Sequence, residues 1–461
     1  MPKPHNPAAS TQRDHKDTTM SAAPTLARPT SPARPRIFAA TFVSEIAVGA
    51  HVGGVGALIA LLAQDFDLPI SHFAILGSFL GVGMVLFSLL SKWLMEATAG
   101  MVLKASSTMV MLGAIGLAFA PWANLAIASG LSVALGTSLV ILIVPSVLAG
   151  PNRARDIALA NGASSAASIA SPLLYGLFAS LPLLEGRWAA LMLAFPALYV
   201  MVTIRNVDFV HTPSAFAERR AGRKGKRRRD LADAFGKVPS VKAFGGAKNV
   251  ADDELARAAV ASSAQSVHVS SFHDAPSEHL PKASKRERRQ IKVGLLRVAL
   301  SLVAEFALYT WGVARLLDIG VPNATAATLG AVFPLGMAAG RLSAGVLIRW
   351  RYIFHASVAG AMLGTIIIGT GTSAVVVVVG LLVAGMGNAL LYPITVDDLV
   401  AQPSLSPNRA AALSALAGGV VVFAMPLVLA WMQNFLTLGH SLLLLFPVTL
   451  VLFLLPNGRK N

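Results

Sequence analysis

The sequence predicts an all-α integral membrane protein whose 12 transmembrane helices form two parallel repeats of six. The overall composition, a series of long apolar segments and an internal repeat lead to this prediction. The chain has 461 residues, of which 55% are hydrophobic and 13% are charged, and its mean hydropathy is +0.65. A soluble domain carries about 25% charged residues. This chain has too few charges to cover a water-facing surface of its size, so its composition favours a lipid bilayer as solvent.

Apolar segments of about 20 residues recur along the chain, and each is long enough to cross the hydrocarbon core of a bilayer. Six precede a long polar stretch and six follow it. The predicted spans of the first half are Ile37–Leu61, Phe73–Leu90, Met101–Pro121, Leu125–Leu148, Ala158–Leu181 and Ala189–Ile204. Those of the second half are Val293–Leu317, Ala324–Ile348, Ile353–Thr372, Ala374–Val396, Ala410–Trp431 and Ser441–Leu455.

The two halves share short sequence matches, in the same order and at a spacing of roughly 255 residues. One match alone could arise by chance in an Ala-rich chain, but four in register indicate an internal repeat. Parallel repeats of this kind are typical of secondary transporters. The matches pair Leu76-Gly77 with Leu329-Gly330, Pro151 to Ala154 with Pro407 to Ala410, Ser171-Pro172-Leu173 with Met425-Pro426-Leu427, and Phe195-Pro196 with Phe446-Pro447.

These features divide the chain into a tail, two bundles, a linker and a short C-terminus. Residues 1–36 are polar, basic and proline-containing, and we expect a disordered cytoplasmic tail there rather than a cleavable signal. The two six-helix bundles are predicted at residues 37–204 and 293–456, joined by a basic linker at 205–292. Residues 457–461 form the predicted C-terminus.

The net charge of +16 is concentrated in the linker, which holds about half of the 38 Lys and Arg residues. This placement favours anionic membrane lipids as the partner and argues against a nucleic-acid-binding face. A regulatory or protein-docking role for the linker is the alternative. In the short loops, an orientation with both termini in the cytoplasm puts nearly all Lys and Arg on the inner side, as the positive-inside rule requires. We therefore predict a multi-pass protein of the cell membrane with cytoplasmic termini.

Several classes of chemistry are excluded or unsupported. The chain contains no cysteine, which rules out disulfides, thiolate nucleophiles and metal sites built on cysteine. The sequence also offers no Gly-rich phosphate loop, no His–carboxylate metal cluster and no nucleophile–base arrangement. We expect no enzymatic activity, no cofactor and no metal.

Six plus six helices, inside termini, a long central cytoplasmic loop and parallel repeats together resemble the major facilitator superfamily. The resemblance covers roughly residues 37–456. It implies a monomeric secondary transporter that works by alternating access around a cavity formed by helices 1, 4, 7 and 10. The sequence does not indicate which small molecule is carried.

Two family motifs are altered here. The loop after helix 2 in the family reads Gly-x-x-x-Asp-Arg-x-Gly-Arg-Arg, but in this chain Lys92 stands near the expected aspartate and Glu96 is a candidate substitute. The second half matches this motif better, beginning at Gly340-Arg341. At the cytoplasmic end of helix 10, Asp397 and the neighbouring Asp398 are candidate partners of Arg341. We expect a cytoplasmic gate built from Arg341, Asp397, Lys92 and Glu96.

Helix 5 of family antiporters carries a Gly-Pro-x-x-Gly-Gly signature, and the segment from Ser171 to Gly176 is similar to a degenerate form of it. The resemblance favours export by antiport. Proton-coupled uptake by symport remains open, as does a transporter-like sensor that moves no solute.

Ionisable residues inside the predicted spans are the candidates for proton coupling, because charge is costly in a bilayer. Glu305 lies near mid-depth in helix 7, and Glu45 and His51 lie in helix 1. The alternative for each is a structural role, as an ion-paired carboxyl or a packed histidine. Arg297 lies on the same face of helix 7 as Glu305, nearer the cytoplasmic end, and we expect its side chain to extend its charge to the cytoplasmic surface.

Aromatic and amide side chains near these groups are candidates to contact an amphipathic organic solute. The partners predicted from the sequence are thus a small organic molecule, protons and anionic lipids. The candidate contact residues are Tyr175, Tyr309, Trp311, Asn388 and Tyr392.

Overall fold

The computed structural model describes residues 33–90, 94, 99–148, 153–205, 284–343, 350–400, 402, 404–405 and 407–455. Most of the predicted tail, nearly all of the predicted linker, the last residues and the gating candidates Lys92 and Glu96 lie outside this part of the chain. Within it, every regular element is a helix.

Twelve helices follow one another in the described chain, and five of them consist of two consecutive segments. The continuous helices are α1 Ala33–Asp65, α3 Ala99–Phe119, α4 Ala123–Val147, α5 Arg153–Ser180, α7 Lys285–Asp318, α9 Ile353–Thr370 and α11 Pro407–Met432. The divided helices are α2 (Ile70–Phe73, Ile75–Leu89), α6 (Gly186–Leu193, Ala194–Thr203), α8 (Asn323–Leu329, Val332–Leu342), α10 (Ala374–Asn388, Leu391–Val400) and α12 (Leu438–Leu443, Leu445–Leu454).

Eight of these helices are long and apolar enough, among the described residues, to cross a membrane, namely α1, α2, α3, α4, α6, α9, α10 and α11. Helix α12 is a shorter apolar helix, Leu438–Leu454. Helix α8 is interrupted, and helix α7 contains Arg297, Glu305 and Arg315 within its length. The all-helical membrane fold predicted from the sequence is therefore confirmed, while the count of twelve rests on the order of the elements.

Helix α7 begins earlier than hydropathy places it. It starts at Lys285, inside the stretch assigned to the linker, and Ser284 and Glu287 form a capping box at its start. The Ser284 hydroxyl accepts from the Glu287 amide, and the Glu287 carboxylate accepts from the Ser284 amide. The first turns are so basic that an apolar-segment criterion misses them. The same effect accounts for α1, which begins at Ala33 rather than at Ile37.

The interruptions of the helices repeat with the sequence. Helix α2 is divided at Ala74 and α8 at Gly330-Ala331, just before or at the repeated Leu-Gly. Helices α5 and α11 start at the repeated Pro-Asn-Arg-Ala, and each has one proline in its interior, Pro172 or Pro426. We refer to helices α1–α6 as the N-terminal lobe and to α7–α12 as the C-terminal lobe, following the repeat predicted from the sequence.

Glycines allow α1 and α5 to pack closely inside the N-terminal lobe. A Cβ atom at Gly49 would lie 1.8 Å from the Ser164 carbonyl oxygen, and one at Gly53 would lie 2.1 Å from that of Ser168. No side chain fits at either position. Small residues that let backbones approach are the usual basis of helix association in membranes. This packing fixes the position of the serine face of α5.

The lobes touch each other near one end of the bundle, which we call the short-loop end because residues 66–69, 181–185 and 319–322 connect helices there. The opposite end, where the chain leaves at Arg205 and returns at Ser284, is the linker end. Helix α1 contacts α7, α2 contacts α11 and α5 contacts α8. Glycines mediate these contacts at the short-loop side: Gly56 lies against the Tyr309 carbonyl, Gly77 against Thr310, and Gly176 against Thr328.

Each lobe has an arginine at the short-loop end that binds carbonyl groups at the end of its third helix. Arg187 donates to the Ala120 carbonyl (2.7 Å) after α3 and pairs with Asp65 at the end of α1 (3.4 Å). Arg315 donates to the carbonyls of Ile368 (3.1 Å) and Gly371 (2.7 Å) at the end of α9, and pairs with Asp318 at the end of α7. These carbonyls lack partners within their own helices, so the arginines satisfy them.

Candidate functional site

Polar side chains from both lobes meet between the helices. The N-terminal lobe supplies them from α1 and α5, and the C-terminal lobe from α7, α8 and α10. Buried polar groups in a membrane protein are costly unless paired, and they commonly mark functional sites. We call this group the central polar cluster; it comprises Glu45, Ser164, Ser165, Ser168, Glu305, Tyr309, Arg341 and Tyr392.

The charged centre of the cluster is the pair of Glu305 on α7 and Arg341 on α8. Arg341 Nη2 lies 3.7 Å from Glu305 Oε1. The Glu305 side chain is 9% exposed, whereas that of Arg341 is 42% exposed. Glu305 lies about 20 Å along the axis from the end of α7 at Asp318, at about 1.5 Å per residue. The carboxylate is therefore buried at mid-depth, and its cationic partner is the accessible member of the pair.

Arg341 also connects the lobes, because its Nη1 donates a hydrogen bond of 3.3 Å to the Ser165 hydroxyl on α5. A side chain that touches both lobes points into the space between them, so its exposed surface faces that space. The glycine-mediated contacts described above close the short-loop end. The exposed part of Arg341 gives the cluster access to solvent, and we expect this access to come from the linker end.

A serine face on α5 links the two sides of the cluster. Ser164 hydrogen-bonds the Glu45 carboxyl on α1, and Ser168 forms a side-chain hydrogen bond with Tyr309 on α7. The Ser168 hydroxyl donates to the Ser165 carbonyl at 2.7 Å, so its oxygen is left to accept from Tyr309. Sequence reasoning missed these serines because it considered only the segment from Ser171 to Gly176 in helix 5. Three serines at i, i+1 and i+4 in a membrane helix were the signal available.

Aromatic rings form the apolar wall beside the charged pair. Tyr309 packs edge to face on Phe333 with ring centroids 4.9 Å apart. Tyr392 on α10 is half-buried and lies close enough to Glu305 for an electrostatic interaction with its carboxylate. The predicted contact residues Tyr309 and Tyr392 are thus placed beside the proton-coupling candidate Glu305.

Two other predicted contact residues, Trp311 and Asn388, are buried in this conformation. The Asn388 side-chain amide donates to the Ala384 carbonyl of its own helix at 2.8 Å. In the described structure the Asn388 Oδ1 and Trp311 Nε1 atoms have no hydrogen-bond partner. A solute could reach these groups only after the surrounding helices move.

His51 and Tyr175 lie together, away from the Glu305–Arg341 pair. They line a small pocket inside the N-terminal lobe whose other walls are apolar, among them Leu117, Val133 and Leu193. All lining residues belong to the N-terminal lobe. The structure therefore does not bring His51 into the central polar cluster, although it does bring Glu45 there.

The gate expected at the linker end has different partners in the structure. Asp398 pairs with the buried Arg297 of α7 rather than with Arg341. Arg297 Nη1 lies 2.7 Å from Asp398 Oδ2, and the guanidinium of Arg297 stacks 4.5 Å above the Phe354 ring. Arg297 is only 2% exposed, so the expectation that it extends to the membrane surface is wrong. Asp397 is exposed, and Arg341 pairs with Glu305 instead.

Among the described residues, no group of three His, Asp or Glu side chains could hold a metal ion. The chemistry available to the cluster is instead reversible protonation and ion pairing at the boundary between two repeated lobes. A family model described as Major Facilitator Superfamily matches residues 37–400. The chain belongs to the Major Facilitator Superfamily. Membership of this superfamily makes the protein a multi-span membrane transporter of the secondary class.

Solved structures of Major Facilitator Superfamily type share this fold at low sequence identity. The in meso structure of the POT family transporter PepTSo has a TM-score of 0.64 and 13% identity, covering 92% of this chain and 97% of that one. A POT family transporter in complex with a thioalcohol conjugated peptide has a TM-score of 0.63 and 12% identity, covering 92% of this chain and 94% of that one. A mutant of the nucleoside transporter NupG has a TM-score of 0.57 and 12% identity, covering 91% of this chain and 98% of that one. No curated protein sequence matches the chain.

Proposed function

We propose that this protein couples the movement of a small organic solute to protons, with Glu305 as the proton-carrying group. The observation that carries the proposal is the buried Glu305 carboxylate paired at 3.7 Å with Arg341, which itself bonds Ser165 of the other lobe. A proton on Glu305 cancels one half of this ion pair. Because Arg341 contacts both lobes, loss of the pair changes the interactions that hold them in place.

The mechanism we propose is alternating access around the central polar cluster. In the conformation described, the lobes are closed at the short-loop end and we expect access to the cluster from the linker end. Protonation of Glu305 and binding of solute then change the relative free energies of this state and of the state open at the opposite end. Glu45, held by Ser164, is a second carboxyl that can take part in the same exchange.

Two directions of coupling are candidates. Export by antiport is favoured by the resemblance of the segment from Ser171 to Gly176 to the antiporter signature. Uptake by symport is supported by the exposure of Arg341, since an anionic solute can pair with its guanidinium when Glu305 holds a proton. The sign of solute-driven proton movement distinguishes them.

The experiment uses purified protein in liposomes that contain the pH dye pyranine. A library of small organic acids, amines and neutral amphiphiles is added outside, one compound at a time. Under symport, solute entry carries protons inward and the interior becomes acidic. Under antiport, solute entry drives protons outward and the interior becomes alkaline.

Glu305→Gln is the decisive variant. We expect it to lose solute-driven proton movement while it retains counterflow, in which labelled and unlabelled solute exchange without net proton transfer. Glu287→Gln, a change at the exposed start of the same helix, is the matched control and should keep both activities. Wild-type proton coupling in the Glu305→Gln variant would remove Glu305 from the mechanism.

A further inference from the structure

We propose that the solute of this transporter carries a carboxylate, or an equivalent organic anion, and that Arg341 binds it directly. This inference rests on the proposed function and specifies the chemical class of its substrate. The two partners of the ion pair differ in exposure: the Arg341 side chain is 42% exposed and that of Glu305 is 9% exposed. A solute that enters the space between the lobes meets the arginine before the carboxylate.

The guanidinium of Arg341 has capacity for a further partner. Within the part of the chain that the structure describes, its polar contacts are one hydrogen bond to Ser165 at 3.3 Å and one ion pair to Glu305 at 3.7 Å, which is longer than a hydrogen bond. A guanidinium offers five N–H donors in a planar fork that fits a carboxylate bidentately. Donors therefore remain for a solute anion.

Ser165 adds a second point of attachment. Its oxygen accepts from Arg341, and in the described part of the chain its own hydroxyl proton has no acceptor. A carboxylate bound to Arg341 can accept from this hydroxyl, so groups of both lobes would hold the same anion. The Tyr309 ring, packed on that of Phe333, lies beside the pair. Both rings are buried in this conformation, so the rest of the solute would contact them only after the surrounding helices move.

The charge arrangement also explains why proton and solute would bind together. With Glu305 ionised, the arginine already has its counter-charge and a second carboxylate adds an unbalanced negative charge at the site. With Glu305 protonated, Arg341 lacks a counter-ion and the solute provides one. The inference thus selects symport from the two candidate directions. A cationic solute would have to reach the buried Glu305 past the positive charge of Arg341.

Binding to purified protein in detergent tests this without a proton gradient. The probes are acid and amide pairs of equal shape, namely hexanoate with hexanamide, benzoate with benzamide and 3-phenylpropionate with 3-phenylpropionamide, together with the cation phenethylammonium. Binding is followed through the thermal unfolding midpoint. We expect at least one acid to stabilise the protein and its amide to have no effect.

Variants of the pair give opposite shifts for opposite solute charges. For a carboxylate, Arg341→Gln should weaken binding at least about tenfold, and Glu305→Gln should strengthen it by removing the internal competitor. Arg341→Lys keeps the charge without the fork and should weaken binding by an intermediate factor. Arg351→Gln, a change of an exposed arginine outside the cluster, is the control.

Three results would overturn the inference: no acid stabilises the protein, acids and amides stabilise it equally, or phenethylammonium binds and loses affinity in the Glu305→Gln variant. Failure here leaves the pyranine measurement free to show coupling with another solute class. Conversely, carboxylates that bind as expected but move no protons would contradict the proposed coupling while leaving Arg341 as the anion site.

Discussion

Gly81 on α2 lies directly against the backbone of Phe423 on α11, so that a Cβ atom at Gly81 would be 2.2 Å from the Phe423 nitrogen. This contact joins the two lobes and exists only while they are together at this position. A side chain at Gly81 should therefore disfavour the described conformation without disturbing the interior of either lobe.

We predict that Gly81→Ala shifts the protein toward a state that is open at the short-loop end. An overpacked contact costs about 1–3 kcal/mol, which corresponds to about a 5- to 150-fold change in the ratio of the two states. The chain has no cysteine, so Thr310→Cys provides a single reporter at a contact that is only 2% exposed here. Its labelling by a membrane-impermeant maleimide should accelerate in the Gly81→Ala background.

Gly162→Ala is the matched control, since nothing lies within 4 Å of the added Cβ atom. It should leave the labelling rate of the reporter unchanged. If Gly81→Ala remains folded and also leaves this rate unchanged, the contact between α2 and α11 does not separate during the transport cycle.

The second prediction concerns the buried pair at the linker end. Asp398→Asn removes the carboxylate that pairs with the buried Arg297, and we expect the free energy of unfolding to fall by about 3–5 kcal/mol. The thermal unfolding midpoint in detergent measures this. Asp397→Asn, at the neighbouring exposed position, should change stability by no more than about 0.5 kcal/mol.

Replacing both partners separates an ionic requirement from a packing one. The double variant Arg297→Met, Asp398→Leu should recover most of the lost stability, because apolar groups can fill the space of a buried ion pair. A double variant as unstable as Asp398→Asn would show that the charges themselves are needed, for instance through the stacking of Arg297 on Phe354.

These ion pairs also show where sequence reasoning stops. Apolar length predicted the membrane fold correctly, because that signal is carried by neighbouring residues, and the repeated motifs led to the prediction of two halves. Which charges meet could not be predicted, because Arg297 finds Asp398 about 100 positions away, and Arg341 finds Glu305 rather than Asp397. Such pairing depends on how helices rotate and cross, which the apolar pattern of a membrane helix scarcely encodes.

The depth of Arg341 was equally hidden. It follows the division of α8 near Gly330, and in the sequence it reads as the start of a loop motif at the membrane surface. In the structure Arg341 belongs to helix α8, and its side chain lies between the lobes, in contact with Glu305 and Ser165. The sequence thus identified Glu305 and Arg341 individually and assigned them to separate roles.

The third prediction tests the carbonyl groups held at the short-loop end. Arg315→Ala removes the donors to Ile368 and Gly371 and leaves those carbonyls without partners. We expect a loss of about 3 kcal/mol in the free energy of unfolding. Arg351→Ala, at an exposed arginine that contacts Tyr352, should cost about 0.5 kcal/mol or less. Equal effects of the two substitutions would contradict the capping role of Arg315.

The fourth prediction concerns the start of α7. Ser284→Ala removes one half of the capping box and should destabilise the first turn by about 1 kcal/mol. Hydrogen exchange of the Glu287 and Arg288 amides, which bond to Ser284, should accelerate about fivefold, while exchange near Glu305 stays unchanged. No change at the first turn would place the true start of the helix further along, nearer to Val293.

The arginines at the short-loop end come from helices that do not correspond in the two halves of the chain. Arg187 belongs to the sixth helix of its lobe and Arg315 to the first helix of the other, yet both neutralise an aspartate at the end of that first helix. The positive charge thus lies at a corresponding place in the two halves, although a different helix supplies it in each. Ancestral equivalences between such halves should therefore be sought by superposing atoms, and an alignment of letters would leave both arginines unmatched.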